Sequence, residues 1–103
     1  MAISKAYRFT KEDQALCAFA KAIAHPARVM ILRQLAKKGP CKALSILKNH
    51  PISQPAMSQH LRILRLARLV KFEERFPHTF YSLDVDTSKI AARLLKSFLK
   101  ELK

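Results

Sequence analysis

The chain has 103 residues, with 20 lysines and arginines against seven acidic residues, a formal net charge of +13, one glycine and two cysteines. Half of its residues are hydrophobic, which excludes a disordered basic tail, and the longest apolar run, Ala15 to Ala20, is far too short to span a bilayer. Cys17 and Cys41 cannot make a disulfide framework, and the charge exceeds what solubility requires, pointing to a polyanionic partner.

The first residues, MAISKAYRFTKED, are basic but carry no apolar segment of secretory type, so a cytoplasmic location without a membrane partner is expected. Thr10 is placed to cap a first helix with Leu16, Phe19, Ala20 and Ile23 on its inner face. Cys17 falls on the apolar side of that helix and reads as a small buried hydrophobe. His25-Pro26 breaks the pattern, with His25 as a cap. A second helix follows over Ala27 to Lys38, with Val29, Leu32, Leu35 and Ala36 inward, and Gly39-Pro40 ends it. A third short helix, about Lys42 to Asn49, carries Leu44 and Leu47. Cys41 stands at its start, where the helix dipole lowers a thiol pKa.

His50-Pro51 then forms a turn into the segment ISQPAMSQHLRILRLARLV. Ser53 fits an N-cap and Pro55 the first turn. Met57, Leu61 and Leu64 recur at helical spacing and bury, while Pro55, Ser58, Gln59 and Arg62 project from the far side. Gln pairs bidentately with adenine, Arg with guanine, and Ser with base or phosphate, so this polar face suits base-edge readout. Arg65 joins this DNA-binding set, and Arg62, Arg65 and Arg68 read alternatively as no more than a solvated face. The third and fourth helices together make a helix-turn-helix.

Val70 to Arg75 and Thr79 to Leu83 are rich in β-formers and flank Phe76-Pro77-His78, predicting a β-hairpin wing with Phe72, Phe80 and Tyr81 in its core. A last helix carries Ile90, Ala91, Leu94, Leu95, Phe98, Leu99 and Leu102 on a stripe wide enough to need a partner. The expected fold is mainly α (α+β): a winged helix-turn-helix of about five helices with a two-stranded wing, in one domain over residues 1–103, with no repeat or linker.

AIAHPARVMILRQLAKKGPC, then SQPAMSQHLRILRLARLV, then a hairpin ending TFYSLD closely resemble the ArsR/SmtB-type winged helix-turn-helix repressors over nearly the whole chain. The resemblance implies a homodimer paired through its first and last helices, which binds a pseudo-palindromic double-stranded DNA operator until an inducer, unidentified here, releases it. It places Ser53, Gln54, Ser58, Gln59 and Arg62 at DNA-facing positions and His60 at the family's usual histidine; lying beside the buried stripe, His60 reads as a packed or phosphate-contacting residue of the DNA-binding set. Arg75, His78 and Lys71 are left for phosphate contact by the wing. The dimer would rest on Leu16, Phe19 and Ile23 with Leu94, Leu95, Phe98 and Leu102.

The chain also departs from this pattern. Ala43 replaces the second thiolate of the family's Cys-x-Cys pair, and no histidine follows His78, so both family metal sites look vacated and no metal or other cofactor is expected. Cys41, with or without Cys17, remains a candidate thiol sensor beside an inert reading. Glu73, Glu74 and Pro77 sit in a wing that is often basic with a glycine tip. Arg68 stands where glycine commonly closes the recognition helix. The scattered acids and the lack of a glycine-rich phosphate loop argue against an enzyme. A sequence-neutral architectural DNA protein and a winged-helix protein-interaction module remain the alternatives.

Overall fold

A computed structural model describes residues 8–48 and 50–103. The N-terminal stretch read for targeting lies mostly outside the described residues, as does Asn49 at the predicted end of the third helix.

Helix α1 spans Lys11–Ala22, and Thr10 Oγ1 accepts the Asp13 N–H at 3.0 Å, with Glu12 and Asp13 facing the positive end of the dipole. Its buried residues are Phe19 and Ala22, flanked by half-buried Ala15, Leu16 and Ile23. Ala20 and Cys17 are exposed, which corrects the inner face assigned to them. Helix α2 spans Pro26–Lys38. His25 Nδ1 accepts the Ala27 N–H at 3.0 Å, so the histidine is a cap, as its position before proline predicts. Ala27, Ile31, Gln34 and Leu35 are buried, whereas Ala36 is exposed and Val29 half-buried. Gly39 ends α2 at φ 74°, ψ −155°, a region essentially reserved for glycine.

Strand β1, Cys41–Lys42, was not foreseen. It pairs antiparallel with β3, His78–Leu83, which also pairs with β2, Val70–Arg75, giving a three-stranded sheet in the order β1-β3-β2 in place of a lone hairpin. His78 opens β3 opposite Arg75, so the link is Phe76-Pro77 alone, and Phe76 is 99% exposed at the tip. Phe72 is exposed too, while Phe80 and Tyr81 are half-buried.

Helix α3, Ala43–Leu47, buries Ile46 completely and leaves Leu44 65% exposed, reversing the expectation for Leu44. Helix α4, Gln54–Leu66, matches its prediction closely: Ser53 Oγ accepts the Ala56 N–H at 3.3 Å, and Met57, Leu61 and Leu64 are buried. These three pack with Ile31, Leu35, Ile46, Leu69 and Val70 into one core, which fixes α4 against α2, α3 and the sheet. Helix α5, Val85–Glu101, is capped by Asp84, whose Oδ1 accepts the Thr87 N–H at 3.1 Å.

The end of α4 keeps its usual geometry without glycine. Arg68 takes φ 63°, its N–H donates to Arg65 O at 2.9 Å and the Leu69 N–H donates to Leu64 O at 3.0 Å, the two bonds of a Schellman turn, with Leu64 and Leu69 both buried. A left-handed L-residue costs about 1–2 kcal/mol, and glycine's extra chain entropy offsets about half of the relief. Arg68→Gly should therefore stabilise the fold by about 0.5–1 kcal/mol and raise the melting midpoint by about 3–6 °C. Thermal denaturation followed by circular dichroism checks this; an unchanged or lower midpoint would contradict it.

Candidate nucleic-acid interface

Because Met57, Leu61 and Leu64 anchor α4, its opposite side is fixed toward solvent. Gln54, Pro55, Ser58, Gln59, Arg62 and Arg65 are all exposed there, joined by Leu66, which sequence reasoning did not single out. Ser53 is exposed as well; its oxygen accepts the cap hydrogen bond and keeps its proton and a second lone pair for a partner. The Arg65 guanidinium sits over the Phe72 ring, 4.8 Å from its centroid, and ties the helix to β2. This surface offers amides, hydroxyls and guanidinium groups on a rigid helix, the donor and acceptor set that reads base edges in a major groove.

His60 does not lie on that face. Its ring is half-buried against His25, centroids 4.4 Å apart, and its Nδ1 is buried without a hydrogen-bond partner. Burial, the neighbouring His25 and the Arg28 charge all push its pKa below the usual 6.5. The folded protein thus takes up fewer protons there than the unfolded chain. The contribution of neutral His60 is present above about pH 6.5 and is lost as pH falls below it. The urea midpoint should drop between pH 7.5 and 5.5, and His60→Gln should flatten the drop; equal slopes in the two proteins would contradict this.

The wing is less basic than its residue types suggest. Arg75 Nε and Nη2 donate to the two carboxylate oxygens of Glu73 at 3.0 and 3.3 Å, and the guanidinium also covers Phe80 at 5.5 Å. The bidentate pair holds the Glu73 carboxyl below its ordinary pKa. Both groups are exposed, so the pair adds little stability, but it largely cancels the Arg75 charge. Phosphate contact by the wing through Arg75 would have to share or break that pair. His78 is exposed beside Phe80, and Lys71 is exposed farther along β2.

The cysteines exchange their expected settings. Cys17 is exposed, whereas Cys41 is buried within β1, with its thiol donating to Gly39 O at 3.3 Å. Cys41 therefore is not an open thiol at a helix start. No group of three or more His, Cys, Asp or Glu that could hold a metal occurs among the described residues. No single described helix is long and apolar enough to cross a membrane.

Of the expected dimer residues, Phe19 is turned into the core, and Leu16, Ile23, Leu94 and Leu95 are half-buried. Phe98 and Leu102 are 40% and 66% exposed, beside exposed Ile90 and Leu99 on α5, so the last helix carries an uncovered apolar face.

Comparison with known proteins agrees with this geometry. The model of the arsR family of bacterial regulatory proteins matches residues 25–71, from the α2 cap through the start of β2. The chain is 37% identical over 78 residues to an HTH-type transcriptional regulator of Methanocaldococcus jannaschii, covering 73% of this chain and 84% of that one. It is 31% identical over 81 residues to the transcriptional repressor SdpR of Bacillus subtilis, covering 79% and 89%. Among solved structures, HlyU from Vibrio cholerae aligns with TM-score 0.72 and 26% identity over 91% of this chain and 97% of that one.

Proposed function

The chain belongs to the arsR family of bacterial regulatory proteins, and on that premise we propose that it is a cytoplasmic homodimeric repressor that reads a pseudo-palindromic operator through α4. The observation that carries this reading is the division of α4 into a buried stripe, Met57, Leu61 and Leu64, and an exposed polar face holding Gln54, Ser58, Gln59 and Arg62. The net charge of +13 supplies sequence-independent attraction to phosphate, and the polar face supplies the discrimination. An architectural protein needs only the first of these, and a protein-interaction module neither.

The exposed face of α5 supports pairing with a second copy, together with the half-buried Leu16 and Ile23 of α1. Two copies related by a two-fold axis present two α4 helices to one side of a duplex. Selection from a random duplex pool should enrich a two-fold motif whose half-sites lie about one helical turn, or about 10 base pairs, apart. A pool that stays random through selection while bulk binding persists would favour the architectural alternative.

A further inference from the structure

Away from the α4 face, Met30, Arg33, Gln34, Lys37 and Lys38 of α2 and His50 of the α3–α4 turn line an open surface hollow of about 480 Å³. That volume is in the range of small-molecule sites. Three cations share it, and none of the described lining residues is acidic. Arg33 and Lys37 are four residues apart on one helix face, a like-charge spacing that disfavours the helix until an anion lies between them. Lys37 and Lys38 suit the C-terminal end of α2, but that does not account for Arg33 or for the polar floor.

The floor is built rather than incidental. Gln34 is buried in phase with Ile31 and Leu35; its amide donates to Ser45 O at 3.4 Å, and its Oε1 accepts from His50 Nε2 at 3.0 Å. The Nε2 hydrogen bond to Gln34 holds the His50 ring at the edge of the hollow. Met30 supplies an apolar wall.

We propose that this hollow binds a small organic anion, its phosphate or carboxylate head between Arg33 and Lys37 and its apolar body against Met30. Gln34 bonds directly to α3 and to the turn that leads into the Ser53 cap, so an occupant held on this floor shifts the entry of α4 and thereby DNA affinity. This second part rests on the DNA-binding reading above; the binding of the anion does not.

The probes are phenyl phosphate and benzoate, with benzyl alcohol as the uncharged control and inorganic phosphate as the head alone. In NMR titrations of the full chain, phenyl phosphate or benzoate should move the Gln34 side-chain amide, the His50 ring and the Met30 methyl signals saturably. Benzyl alcohol should not, and inorganic phosphate should bind more weakly. The exposed substitutions Arg33→Gln and Lys37→Gln together should weaken binding at least tenfold, with circular dichroism showing that the variant is folded. Shifts spread over lysines elsewhere, equal affinity in the variant, no saturable response to either aromatic anion, or a response to duplex DNA alone would each overturn the site. In a parallel arm, saturating phenyl phosphate should change DNA affinity at least fivefold relative to inorganic phosphate at matched ionic strength. Saturable binding without that change overturns the coupling and leaves the site; a protein that binds no DNA at all refutes the DNA-binding reading, while the titration still decides the site.

Discussion

Replacing Phe98 and Leu102 with alanine is expected to split the proposed homodimer and, with it, to abolish tight operator binding. Both side chains lie on the uncovered face of α5 and add little to the protomer's own core. Covering a large apolar side chain contributes roughly 1.5 kcal/mol or more, and two-fold symmetry counts each substitution twice. One truncation therefore removes about 3 kcal/mol per dimer, or roughly a hundredfold in dissociation constant, and two truncations remove more. A monomer reaches only one half-site, so DNA affinity falls by orders of magnitude while the fold persists. Sedimentation at micromolar concentration, paired with binding to a two-half-site duplex, checks both parts. A wild-type protein that sediments as a monomer and still binds the palindrome tightly would contradict this assembly.

The second large effect belongs to the reading face. Gln59→Ala and Arg62→Ala should each cost about 1–3 kcal/mol per half-site on the selected operator and relax discrimination at one base position. Both side chains are exposed, so the melting midpoint should hardly move. Loss of binding can then be separated from loss of fold. Arg75→Ala, by contrast, should weaken all sequences alike and only slightly, because Glu73 already engages that guanidinium. Affinity measured on cognate and single-base-substituted duplexes distinguishes these patterns.

The helix proposed to read DNA was also the most legible. Its three anchors are large, its cap is a serine and its first turn holds proline, so period, start and phase agree. His60 lies three residues after Met57 and four before Leu64, a spacing that already places it toward the packed side. The phases of α1 and α2 are less readable because alanine fits either face: the spacing points to Ala20 and Ala36 as inner, yet Ala22 and Ala27 are the buried ones. Gln34 went unnoticed although it follows Ile31 and precedes Leu35 on the same stripe. Five residues of α3 cannot define a period, so Leu44 was chosen over Ile46. Two-residue β1 leaves no alternation to detect and forms only because β3 offers a free edge. The Glu73–Arg75 pair was open to reading, since residues two apart share a face of a strand.

The most direct test of sequence-specific recognition by α4 is the ratio of dissociation constants for the selected operator and a scrambled duplex of the same composition, measured at near-physiological salt. Specific recognition is worth about 4 kcal/mol or more beyond phosphate attraction, so the ratio should be at least about a thousandfold in the wild type and collapse toward one when Gln59 and Arg62 are both alanine. A wild-type ratio near one, or a large ratio that survives the loss of both side chains, would contradict the account.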